Sequence, residues 1–267
     1  MKELSLQEIK EIEIELLKTF DAFCKENGIK YFLSHGTLLG AVRYKKFIPW
    51  DDDVDVLVPR EDYDRLLSLF SDGDRYKLFF YEKNSEFTFP YAKLCDMTTV
   101  KTEPGLEGSL RLGIDMDVFP LDYWDKDIKK AKREAKRLSK NRFYLNLTKL
   151  HKPDSVNPVK RFIKGIVMFF CKLYGSGYYI KKIHKDCHKP SQENSPYMGG
   201  KSWCVYGERD IIPSGVFSSS VMIEFEGAMF PAPADYHTYL TCLYGDYLPE
   251  PPKEKQKTHH NFKAYKL

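Results

Sequence analysis

Four carboxylates fall within five residues of this chain, at Asp51, Asp52, Asp53 and Asp55, and the apolar Val54, Val56, Leu57 and Val58 carry the run onward. Acids packed this tightly repel one another, and a cation relieves the repulsion. The apolar continuation predicts a strand over 53–58 with period-2 alternation. Residues two apart on a strand share a face, so Asp53 and Asp55 reach one cation while Val54 and Val56 pack inward. Upstream, Ser34-His35-Gly36-Thr37 offers backbone N–H groups and a hydroxyl, as phosphate cradles do. Metal and phosphate together are the first expectation.

A second Asp-x-Asp lies in Gly113-Ile114-Asp115-Met116-Asp117-Val118-Phe119-Pro120, within a strand expected over 112–119. If the two strands are neighbours, three carboxylates converge. Hard oxygen ligands in that number suit Mg²⁺, with Mn²⁺ the second choice, and speak against a thiolate-type site. One Asp-x-Asp could equally be an exposed turn. Two of them, each framed by apolar residues, weigh against that plainer reading.

The rest of the chain predicts an α+β fold. Ser5-Leu6-Gln7-Glu8 is a capping box, and Ile9, Ile12, Leu16, Leu17, Phe20 and Phe23 recur at helical spacing until Gly28. Short strands are expected over 31–33, 76–81, 91–94 and 99–102, with helices over 38–42 and 61–70. A long basic helix over 125–150 is broken by His151-Lys152-Pro153-Asp154, and one or two helices follow to about 188. A polar loop over 191–196, strands over 221–225 and 228–230 and a helix over 236–244 complete the pattern. The expectation is a short mixed sheet flanked by helices over 1–122, then a mostly helical region over 123–267. The end of that region completes the cleft, within one integrated domain.

The formal charge of the 267 residues is +4, with acids gathered early and lysine and arginine gathered from Lys126 onward. That pattern suits an anionic substrate or a membrane surface, with a solvated helix face as the plainer reading; nucleic acid is not expected. Six scattered cysteines and a start without a secretory pattern point to a reducing cytoplasm. No apolar run of about 18 residues predicts a membrane span. The most apolar stretch, 162–180, is interrupted by Lys164 and Lys172 and is expected as a buried core helix, with an interfacial helix as the second reading.

Three blocks carry a family resemblance. His35-Gly36-Thr37-Leu38-Leu39-Gly40-Ala41-Val42-Arg43, then Phe47-Ile48-Pro49-Trp50-Asp51-Asp52-Asp53-Val54-Asp55, then Asp117-Val118-Phe119-Pro120-Leu121-Asp122 resemble the LicD family of phosphocholine transferases. Fukutin and fukutin-related protein are distant animal relatives of that family. Glu226-Gly227, the prolines at 231 and 233 and Tyr244-Gly245-Asp246-Tyr247 are similar to it as well, so the resemblance spans nearly the whole chain. It implies a nucleotidyltransferase-type fold, Mg²⁺, and transfer of a phospho-alcohol from a CDP-activated donor, CDP-choline, to a glycan hydroxyl with release of CMP. The acceptor would be a teichoic acid, lipoteichoic acid or lipopolysaccharide precursor, some of it lipid-linked and met at the inner face of the plasma membrane.

In the broader nucleotidyltransferase pattern, Gly36-Thr37 takes the phosphate-binding position, with the Thr37 hydroxyl donating to phosphate. Asp53 and Asp55 take the Asp-x-Asp position, and Asp117 is the third carboxylate. These three are the expected metal ligands and catalytic residues. Asp51, Asp52 and Asp115 are expected as supporting charge, and Arg43 and Lys93 as phosphate partners ahead of Lys45 and Lys46. A choline headgroup calls for aromatic faces, with Trp50, Tyr91, Trp124, Trp203 and Tyr206 as candidates. His259 and His260 are candidates for touching phosphate or acceptor. His184, Cys187 and His188 invite a zinc reading, against which stands an ordinary helix face. Other donors (CDP-glycerol, CDP-ribitol, CDP-ethanolamine), nucleotide transfer, and a noncatalytic nucleotide-binding module remain alternatives.

Overall fold

The computed structural model describes residues 1–102, 110–258 and 262–267. The chain opens with β1 (Lys2–Glu3) and α1 (Leu6–Asn27). Ser5 accepts from the Glu8 N–H, the Glu8 carboxylate accepts from the Ser5 N–H, and Gly28 closes the helix at φ 59°. There follow β2 (Phe32–Leu33), α2 (His35–Tyr44), β3 (Asp55–Pro59), α3 (Arg60–Leu69), β4 (Tyr76–Phe79), β5 (Ala92–Asp96), β6 (Thr99–Thr102) and β7 (Ile114–Tyr123). The second half holds α4 (Ile128–Lys149), α5 (Pro158–Tyr174), α6 (Ser176–Cys187), β8 (Tyr197–Gly199), β9 (Ile212–Pro213), β10 (Ser220–Phe225), β11 (Ala228–Pro233), α7 (Tyr236–Tyr244) and β12 (Lys263–Lys266). Mixed sheets flanked by helices make the fold α+β.

The central sheet runs β2-β3-β7-β5-β4. β3 and β7 are parallel, and the other neighbours are antiparallel. β3 is therefore an interior strand, and Asp55, Val56, Leu57 and Val58 are all buried. The alternation expected over 53–58 does not appear, because both faces of this strand are covered. It also starts two residues later than expected, which leaves Asp53 in the preceding loop. β8 extends the sheet by pairing Asp122 with Gly199. Only glycine fits there: a Cβ on Gly199 would lie 1.9 Å from the Asp210 carbonyl oxygen.

A second core joins Leu138 and Leu145 of α4, Met168 and Cys171 of α5, and Ile180 and Ile183 of α6, with Trp124 among them. Here α5 departs from the expected core helix. Only Met168 and Cys171 are buried, while Phe162, Ile163, Phe169, Phe170 and Leu173 are all more than half exposed. Elsewhere, β12 pairs with both β1 and β6. β6 lies where a strand is expected over 99–102, whereas β1 and β12 are not among the expected strands.

Asp210 is 2 % exposed and accepts a hydrogen bond from the Tyr206 N–H at 2.9 Å. Burial pushes its carboxyl up to about 7. A raised acid binds its proton more tightly in the folded state. Its stabilising contribution is therefore complete below the ordinary carboxylate range and is lost as pH rises through about 7. Asp210→Asn should flatten the fall in unfolding free energy between about pH 4 and 7 by about 4 kcal/mol. Denaturant titrations across that range check this, and an unchanged slope would rule it out.

Candidate active site

The site begins with strand register. Asp55 on β3 stands opposite Asp117 on β7, and Asp117 stands opposite Lys93 on β5. Residues opposite one another point to the same face, so two acids and an ammonium form one row across three strands. The Lys93 ammonium pairs with Asp117 and lies 3.2 Å from Asp115, which Lys101 also holds at 2.7 Å. Against the burial that opposes ionisation, Lys101 and Lys93 draw the Asp115 carboxyl down to about 2. Asp55 behaves oppositely. Burial, then the charges of Asp53, Asp117 and Asp51, raise its carboxyl well above the ordinary range, and Lys93 offsets only part of this.

The Asp51–Asp53 loop is tied down from both sides. The buried Thr37 hydroxyl accepts from the Asp55 N–H at 2.8 Å and reaches the Asp53 carbonyl at 3.5 Å. It is thus occupied by backbone, where a phosphate had been expected. Glu226, in the β10–β11 turn, accepts from the Phe47 N–H and donates its own N–H to the Lys45 carbonyl. This C-terminal residue anchors the loop that carries the acids. Gly36 lies against Asp51: a Cβ there would meet the carboxylate at 2.6 Å. Asp52 turns away from the cleft and accepts from the Thr258 hydroxyl at 3.1 Å.

His35 opens α2 at φ 44°, a left-handed conformation unusual for a non-glycine residue, and its N–H meets the Tyr239 hydroxyl at 3.3 Å. α2 thus starts earlier than the expected 38–42. Burial lowers the His35 imidazole to about 4, so its 3.8 Å approach to Asp55 is not an ion pair at neutral pH. The sequence places this residue in the phosphate-cradle motif, but nothing there gives its imidazole a place in the cleft.

These groups floor a cavity of about 1520 Å³. Asp51, Asp53, Asp55, Asp115 and Asp117 line it, together with Gly36, Arg43 and Lys93. One wall is aromatic: Tyr91 packs on Phe119 at 4.4 Å and on Trp203 at 5.2 Å between ring centroids. The Lys149 ammonium sits 3.5 Å from the Phe89 ring centre, and Lys93 sits 4.8 Å from the same ring. Trp50 and Tyr206 also reach the cavity. Trp124 does not, being fully buried in the helical core with its indole N–H on the Asp210 carbonyl.

Several other candidates lie away from the cleft. Lys45 pairs with Glu224, and Lys46 is exposed outside the cavity. His184 places its ring nitrogens on Glu82 and on the Pro90 carbonyl, Cys187 is buried, and His188 is exposed. His259 and His260 lie outside the described residues. Among the described residues no three His, Cys, Asp or Glu side chains are grouped closely enough to hold a metal ion. The donor chemistry nonetheless fits a hard cation, because the buried Asp55 carries uncompensated repulsion from neighbouring carboxylates.

Comparison with known proteins adds independent findings. The model of a family described as "LicD/FKTN/FKRP, nucleotidyltransferase domain" matches residues 28–151. The "Lipopolysaccharide cholinephosphotransferase LicD" of Haemophilus influenzae is 31 % identical over 281 aligned residues, covering all of both chains. An uncharacterised Rickettsia prowazekii protein is 46 % identical over 48 residues, 18 % of each chain. The "Mannosyltransferase regulator 4" of Saccharomyces cerevisiae is 46 % identical over 44 residues, 16 % of this chain and 4 % of that protein.

Proposed function

The chain belongs to the LicD family of phosphocholine transferases, and from that premise we propose that it transfers phosphocholine from CDP-choline to a glycan hydroxyl, releasing CMP. The acceptor is a lipopolysaccharide or teichoic acid precursor. The observation that carries the reading is the Asp55–Asp117–Lys93 row on the floor of a cavity with an aromatic wall. An ammonium, with acids able to take a divalent cation, suits a diphosphate. The ring faces of Phe89, Tyr91 and Trp203 suit a trimethylammonium group, and two of the protein's own ammonium groups rest on Phe89.

Asp53, Asp55 and Asp117, which in the structure are not grouped closely enough to hold an ion, would have to draw together to hold Mg²⁺ or Mn²⁺. Such an ion, once bound, neutralises the donor diphosphate and makes CMP a better leaving group. The chain's own groups do the rest. Lys93 and Arg43 fix the phosphates, the aromatic wall orients the choline, and Asp117 takes the proton from the attacking hydroxyl. Gly36 brings the start of α2 close to the phosphates, while Thr37 holds Asp55 in position through its backbone. Positioning and charge neutralisation supply most of the acceleration in phosphoryl transfers of this kind.

The test is incubation of purified protein with labelled CDP-choline, Mg²⁺ and a candidate acceptor. Label should move to the acceptor and CMP should appear in equal amount. Pyrophosphate in place of CMP would indicate nucleotide transfer. Donor binding without any product would leave a binding module.

A further inference from the structure

α5 is amphipathic in an inverted sense. It rests on the protein through Met168 and Cys171 and turns its apolar side outward. Val159 is 65 % exposed, Phe162 71 %, Ile166 46 %, Phe169 66 % and Leu173 72 %. These positions recur three and four apart and form one stripe along the helix. A contiguous exposed stripe of large apolar side chains is unusual for a surface that meets only water. Beside it, Pro153, Pro158, Phe162, Ile166 and Phe169 border an open groove of about 530 Å³.

The charge around this stripe has one sign. From Lys149 to Lys185 the chain carries nine lysines and arginines against two acids at most within reach of that span, Asp154 and, just beyond it, Asp186. Asp154 is already paired with Lys164, and Asp186 with Arg137 and Lys189. Lys160, Arg161 and Lys172 flank the stripe and are exposed. The charge of α4, by contrast, is partly met by Glu208 and Asp186. Among the described residues no helix is long and apolar enough to cross a membrane. α5 is suited to lying in an interface, where its apolar residues enter the acyl boundary and its cations meet anionic headgroups.

We propose that the outer face of α5 docks the protein onto an anionic lipid bilayer. A second copy of the chain fits this face less well, since pairing two such helices would bring cations toward cations. The end of α5 also borders the catalytic cleft, because Lys172, Gly175 and Ser176 line the cavity. Docking through α5 therefore holds the cleft mouth near the headgroups, where a lipid-linked acceptor is presented. The docking itself does not depend on which donor the cleft takes.

The test is cosedimentation with vesicles of phosphatidylcholine containing phosphatidylglycerol, compared with phosphatidylcholine alone, at low and high salt. The protein should sediment with the anionic vesicles at low salt and be released by high salt. The triple variant Phe162→Glu, Phe169→Glu, Leu173→Glu removes only exposed side chains outside the cleft. It should lose vesicle affinity by about a hundredfold while releasing CMP from a soluble acceptor at the wild-type rate. No sedimentation of the wild type, or equal sedimentation of the variant, would overturn the proposal. So would a dimer in light scattering that the triple variant dissolves while vesicles bind neither form. Because sedimentation is read without catalysis, its failure is separate from failure of the transferase reading.

Discussion

Asp55→Asn should reduce turnover by about a thousandfold or more, equivalent to about 4 kcal/mol in the barrier, while making the protein more resistant to heat. Both effects have one cause. Asp55 is buried, faces Asp117 in register, and feels the charges of Asp53 and Asp51, so its ionised form is disfavoured by the fold itself. An amide of the same shape removes that repulsion. It still leaves the Asp55 backbone N–H on the Thr37 hydroxyl. What it removes is the charge that a cation and a donor diphosphate need. Calorimetry should therefore show a higher midpoint for the variant without added metal, and a rise on adding Mg²⁺ for the wild type alone. Near-normal turnover in the variant would sink the assignment. A lower midpoint would sink the claim that the site is strained for the sake of binding.

Arg60→Ala should destabilise the fold by about 3–5 kcal/mol and leave the turnover of the folded molecules within about twofold. Asp122 ends the motif that Asp117 begins, yet its side chain is only 2 % exposed and is gripped by the Arg60 guanidinium at 2.7 and 2.8 Å. Removing the arginine strands a buried carboxylate, which costs more than the pair itself contributes. The double change Arg60→Met, Asp122→Leu should recover most of the loss, because it leaves no orphan charge. Denaturant midpoints and the specific activity of the refolded protein check both statements. A midpoint unmoved by Arg60→Ala would show the pair to be idle.

The parts of the fold legible from residues alone were those with long patterns or strong punctuation. α1, with its cap and its glycine stop, follows from Ser5, Glu8 and Gly28, and α7 occupies the expected 236–244. β3 was legible in kind but not in detail. Its apolar run announced a strand, but whether that strand is covered on one face or two depends on the elements packed against the faces of the sheet, α2 and α3 among them. The same applies to α5. An apolar helix reads alike whether it faces a core or a bilayer, and only its packing on Met168 and Cys171 revealed the outward stripe.

Within the site, local chemistry named the acids and tertiary structure sorted them. The crowding of Asp51 to Asp55 and the second pair at Asp115 and Asp117 follow from covalent order, because charge repulsion and hard-ligand chemistry need no coordinates. Which acids meet is a matter of register. The parallel pairing of β3 with β7 sets Asp55 beside Asp117, whereas Lys101 and Lys93 engage Asp115, and Thr258 engages Asp52. The sequence by itself determined which residues carry the charge. The tertiary structure alone decided which charges stay uncompensated, because compensation depends on partners brought within a few ångströms from strands and loops many residues away.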